Sequence, residues 1–210
     1  MAKLTAPLFS FGASGKLADS LVFGSWKGLN IVRKYVIPAN PQSDAQVIQR
    51  DYFEEAVDKV HAVQILVTHA LDAADLAAYS QLGATEPTPR TWFNEVVKYW
   101  LDCRRAGKIP VIYTDGTISD PTPASIDLIM YINEKTAAQL AAGKFWFGSK
   151  PGNMIHSVVA TVVASTSVAL IAQNLAAFLT AGTRYLVQFK PDVGDPCEGA
   201  NSGIYAFTAD

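Results

Sequence analysis

Two cysteines, Cys103 and Cys197, are all that 210 residues contain. They are too few for a disulfide framework or a cysteine-built metal site. One bridge between them is the most that thiol chemistry offers, and nothing else in the chain points to an oxidising compartment. Charge is scarce as well: charged residues make up 17% of the chain against 50% hydrophobic ones. Such depletion fits a surface buried against other copies or partners, and also a packed monomer clothed in Ser, Thr, Asn and Gln. With a formal net charge of -2 there is no basic excess, so no direct nucleic-acid binding is expected. Lys27, Arg33 and Lys34 lie close in sequence, as do Arg104, Arg105 and Lys108. Both groups read as solvated faces, the second also as a helix C-terminus favoured by its dipole.

No secretory leader is expected, because Met1-Ala2-Lys3 precedes an apolar run broken by Pro7, Ser10 and Gly12. The most apolar window, 156–179, holds His156, Gln173 and Asn174 among several Ser and Thr, so no membrane span is expected there. Folding in a cytoplasm follows as the expectation. Motifs with a catalytic mechanism are missing too: there is no G-x-S-x-G, no H-E-x-x-H and no dinucleotide glycine pattern. Gly12-Ala13-Ser14-Gly15-Lys16 resembles a phosphate loop only superficially, since its spacing is wrong and Leu17 stands where Ser or Thr belongs.

The remaining chemistry-bearing residues have plain readings. His61 and His69 are eight apart, whereas zinc on a helix takes i, i+4 pairs, so they read as ordinary helix histidines. Asp192, Asp195 and Glu198 match no calcium-loop spacing and read as a solvated acidic loop. Trp26, Trp92, Trp100 and Trp146 offer a sugar- or base-stacking set, although Trp92 and Trp100 share one helix stripe and fit a core better. No set combines a nucleophile, a base and an orienting group, so neither an enzyme nor a cofactor or metal site is expected.

What is present begins with an arm, residues 1–14, whose Leu4, Leu8, Phe9 and Phe11 are interrupted by Pro7 and Gly12 and cannot make a stable helix. It must dock on its own domain or on a neighbour. A β-hairpin follows: 21–23 and 29–37 are rich in β-branched and aromatic residues and flank Gly24-Ser25-Trp26-Lys27-Gly28. Ser43 and Gln46 form a capping-box pattern for a helix running to about His69 or Leu71, with apolar residues at Ile48, Tyr52, Val57, Val60, Val63 and Val67. Asp72 to Asp75 opens a short second helix to Gln81, stopped by Gly83. Thr88 with Pro89 opens a third, where Trp92, Phe93, Val96, Val97, Trp100 and Leu101 give the sharpest helical stripe in the chain.

Near residue 110 the period changes to two. Strands are expected at 111–113 and 117–118 around a tight turn, Thr114-Asp115-Gly116, and at Ile126 to Ile132, Val158 to Val162, Tyr185 to Phe189 and Gly203 to Thr208, with a short helix over 136–142. The fold class is therefore α+β: arm (1–14), hairpin with helices (15–110), then an antiparallel immunoglobulin-like β-sandwich of six or seven strands (111–210).

The order G-K-L-x-D-S-x-V-F at 15–23, W-K-G-x-N-x-V-R at 26–33 and P-x-N-P-Q-S-x-x-Q at 38–46 resembles the opening of a family of tailed-phage and prophage virion proteins. Ala78-Tyr79, Leu82-Gly83 and Thr91-Trp92-Phe93-Asn94 are similar to that family's later segment, with Trp92 a departure where many relatives have a smaller residue. The resemblance spans the first half of the chain and implies a non-enzymatic structural role in a virion, assembled in the host cytoplasm. Its partners would be copies of itself, other virion proteins, or both, on a capsid, neck or tail surface. The interface residues expected are Leu8, Phe9, Phe11, Trp26, Ile31, Arg33 and Tyr35. The alternative is a module that binds a glycan or host surface through sandwich loops.

Overall fold

A computed structural model describes residues 3–4, 13–27, 29–37, 39, 42–133, 140–163 and 166–210, with backbone alone for Lys3, Leu4, Ala13 and Ser14. The chain forms two compact units, Met1–Asp44 and Ala45–Asp210. The first is a four-stranded antiparallel meander of β1 (Lys3–Leu4), β2 (Ala13–Leu17), β3 (Leu21–Trp26) and β4 (Leu29–Lys34), in that spatial order. Lys3 and Leu4 pair with Ser14 and Ala13, so this part of the expected arm docks on its own unit and the boundary at 14/15 falls inside a strand. Gly24 and Ser25 pair with Ile31 and Asn30, which shortens the expected connection to Lys27 and Gly28. Lys27 takes a φ of 49°, the left-handed conformation that a tight hairpin turn demands; Gly28 is outside the described residues.

In the second unit three helices lie against strands. They are α1 (Asp44–Gln64), α2 (Ala73–Ala84) and α3 (Trp92–Arg105). Ala56, Val60 and Val63 of α1, Tyr79 and Leu82 of α2, and Val96, Val97 and Trp100 of α3 share one buried cluster with Ile112, Leu186 and Ile204. Residue 110 therefore marks a change of element type, not a break in packing: the helices depend on the strands to bury their apolar faces.

The strands are β5 (Ile112–Ser119), β6 (Ile126–Asn133), β7 (Gly143–Gly148), β8 (His156–Val159), β9 (Thr161–Val163), β10 (Ser167–Gln173), β11 (Arg184–Pro191) and β12 (Tyr205–Thr208). They form two antiparallel sheets, ordered β5-β6-β10-β9 and β12-β11-β7-β8. Ile126, Leu128, Met130 and Ile132 of one and Phe145, Phe147, Val187 and Phe189 of the other meet in a single core. The chain changes sheet at Ala160, between β8 and β9, so the alternation expected across Val158 to Val162 is real but is split between two sheets.

Several local expectations are corrected. α1 stops at Gln64, leaving Val67 fully exposed, and α2 runs through Gly83 to Ala84. Gly83 is required for close approach, since a Cβ there would sit 2.6 Å from the Arg90 carbonyl oxygen. The cap of α3 is Thr91, whose hydroxyl accepts from the Asn94 amide at 3.4 Å, so Thr88 and Pro89 precede the helix. Thr114-Asp115-Gly116 is a β-bulge within one continuous strand, not a hairpin turn, with Asp115 at a φ of 49°. The short helix expected over 136–142 falls largely outside the described residues, and 140–142 have no regular structure.

Candidate functional site

Strand register decides which side chains of the N-terminal sheet act together. Opposite residues point to the same face, and Trp26 faces Leu29, Gly24 faces Ile31, Val22 faces Arg33 and Lys16 faces Val22. Tyr35 extends the row, its amide donating to the Ser20 carbonyl at 2.8 Å and its ring lying 4.1 Å from the Lys16 ammonium. Trp26, Ile31, Arg33 and Tyr35, four of the residues expected at an interface, thus occupy one face. Leu8, Phe9 and Phe11 lie outside the described residues.

That face is open. Trp26 is 65% exposed, Leu29 70% and Ile31 42%, and a Cβ built at Gly24 would meet nothing within 4 Å. The opposite face carries Phe23, only 5% exposed, beside its cross-strand partner Val32, which is 49% exposed. Among the described residues β4 pairs with β3 alone, so its outer edge leaves backbone groups unpaired. Leu29 was missed in the sequence even though it continues the period of two through Ile31, Arg33 and Tyr35. At the inner end Lys16, Val22, Arg33, Lys34, Tyr35 and Val36 line a shallow concavity with a basic rim.

The strongest polar cluster lies in the second unit. Asp72 caps α2 and forms a capping box with Asp75. The fully buried Asp75 carboxylate then accepts four hydrogen bonds. Oδ2 takes the Asp72 amide at 3.2 Å and the Asp115 amide at 2.7 Å, and Oδ1 the Gly116 amide at 3.1 Å and the Tyr205 hydroxyl at 2.6 Å. Burial pushes the Asp75 carboxyl above its ordinary pKa against the pull of these donors, and burial likewise raises the Tyr205 hydroxyl well above its usual range. An acid with no solvent access and four donors in place pins α2, the β5 bulge and β12 together; it has no route by which to exchange protons with a substrate.

Beside it, His69 Nδ1 lies 2.7 Å from Asp115 Oδ2, and its ring stacks on Tyr131 with centroids 3.3 Å apart. The Thr114 hydroxyl donates to the His69 backbone carbonyl at 2.6 Å, so it is not held as a nucleophile for the ring to activate. The acidic loop is likewise committed internally. Asp195 accepts from the amides of Ala141, Ala142 and Cys197 at 2.9, 3.1 and 2.8 Å, and Glu198 pairs with Lys108 at 2.9 Å. Cys103 and Cys197 are unbridged and buried, and burial pushes the Cys103 thiol up to about 11. Among the described residues no three His, Cys, Asp or Glu side chains converge as a metal site.

No family model and no curated protein matches the chain. Among solved structures, the sensor domain of the anti-sigma factor RsgI4 in Pseudobacteroides cellulosolvens is similar at 11% identity and a TM-score of 0.33, over 48% of this chain and 93% of that one. A likeness at that score carries no argument about function.

Proposed function

We propose that this chain is a non-enzymatic structural subunit of a tailed-phage virion, assembled in the host cytoplasm, that self-associates, attaches to a capsid, neck or tail surface, or does both, through its N-terminal arm and hairpin. The open face bearing Trp26, Leu29, Ile31, Arg33 and Tyr35 next to the free edge of β4 supports this most directly. A six-residue edge with apolar side chains on its open face is a template for strand addition, which freely soluble monomers usually blunt. The resemblance of residues 15–46 to phage and prophage virion proteins supports the same reading.

The strands of the second unit support an immunoglobulin-like reading of its β part. With β5 to β12 lettered A, B, C, C′, D, E, F and G, the sheets read A-B-E-D and G-F-C-C′, the order of that architecture. Its role would be a displayed module anchored by the N-terminal unit.

Binding through such a surface is concentrated in the aromatic residue that association covers. Trp26→Ala is therefore expected to weaken self-association in sedimentation velocity by about 2 kcal/mol, roughly 30-fold, while the melting temperature stays unchanged. Equal loss of assembly and folding contradicts the proposal.

A further inference from the structure

The outward face of the β12-β11-β7-β8 sheet changes character along its length. By register Leu186 faces Gly148, Gln188 faces Trp146 and Lys190 faces Lys144. At the Leu186 end the helices cover the sheet. At the other end Lys144, Trp146, Lys190, Pro191, Asp192 and Val193 line an open concavity of about 490 Å³.

Two cations stand directly across from each other there, an arrangement that destabilises a sheet unless something neutralises it. Lys144 has a loose partner, Asp192, at 3.8 Å, both of them about two-fifths exposed. Lys190 is half-buried and has no carboxylate within ion-pair distance among the described residues; its contact is the Trp146 ring, 5.8 Å away, near the outer limit for a cation–π interaction. Burial pushes the Lys190 ammonium below its usual pKa, the direction expected of a cation that has given up water without gaining a counter-charge. The wall beside it is a half-buried indole, a flat apolar surface with a polar edge.

We infer that this shelf binds an acidic saccharide, with Lys190 and Lys144 holding its carboxylate and Trp146 packing against its ring. The chemistry favours an acidic sugar over nucleic acid, because one indole and two lysines in a chain of net charge -2 do not make a backbone-tracking groove. The site belongs to the Ala45–Asp210 unit and does not depend on the proposed assembly role.

The test is calorimetric titration of the full chain with trigalacturonate, maltotriose and a short oligothymidylate. Saturable binding of trigalacturonate is expected, with maltotriose about tenfold weaker or undetectable, because the charge-assisted contacts are lost. Lys190→Met, which keeps the apolar stem, and Trp146→Ala should each weaken trigalacturonate binding by about tenfold with an unchanged circular dichroism spectrum. If Trp146→Ala does not fold, Lys190→Met decides alone. Absence of saturable trigalacturonate binding, equal binding of maltotriose, tighter binding of the oligothymidylate, or a Lys190→Met variant that binds like the parent overturns the inference.

Discussion

Asp75 shows how much one side chain holds in this fold. Its four donors come from α2's own cap, from the β5 bulge and from β12, the last of these 130 residues away. Replacing it with Asn leaves donors facing a group that is itself half donor, so Asp75→Asn should cost about 1–3 kcal/mol in urea unfolding near pH 5. The pH dependence has a definite sign. Burial raises the Asp75 pKa, so the folded chain keeps this proton where the unfolded chain has released it. Its contribution to stability is full below the unfolded value of about 3.9 and is lost as pH rises through the folded value. Glu86 and Glu198, lowered mainly by hydrogen bonds from Lys98 and Lys108, act in the opposite sense and are common to both proteins. The stability lead of the parent over Asp75→Asn should therefore narrow from pH 4 to pH 7; a lead that widens contradicts the assignment. The sequence showed Asp75 only as a first-turn acid on a helix. Its other partners were illegible because nothing local specifies residues 40, 41 and 130 positions away.

Elements were legible where their period was strong and locally enforced. The α3 stripe and the strict alternation of β6 both bury the faces they display in sequence. Reading failed where tertiary contacts decided the outcome. Thr114-Asp115-Gly116 has the composition of a turn, yet the Asp75 carboxylate captures both bulge amides and keeps β5 a single strand. The strands β7 and β10 are illegible in sequence, the first because Gly143 and Gly148 bound a short run and the second because its apolar run, 168–172, is continuous and has no period of two. Close packing between elements makes its own prediction. A Cβ at Gly203 would lie 2.8 Å from the Ala78 Cβ and 2.9 Å from the Tyr79 amide nitrogen, whereas one at Gly152 would meet nothing within 4 Å. Gly203→Ala should push the residues before β12 off α2 and cost about 1–3 kcal/mol in chemical unfolding, while Gly152→Ala should leave stability unchanged. Equal effects at the two positions would contradict this packing.

The whole molecule divides by what each unit covers. The Ala45–Asp210 unit buries its helix faces and both inner sheet faces within itself. The N-terminal sheet instead presents Trp26 at the end of β3 and Leu29 and Ile31 on β4, a strand exposed along its whole length. Its hairpin and the shared face were legible from the period of two, whereas the 44/45 division was not, because sequence period reports element type and says nothing of which elements share a core. The central claim is that this sheet is the assembly element. The most direct measurement is the mass in solution, by light scattering, of the full chain beside a chain beginning at Ala45. Discrete oligomers from the full chain and a folded monomer from the truncated one are the predicted result. Folded monomers from both, or the same oligomer from both, would contradict it.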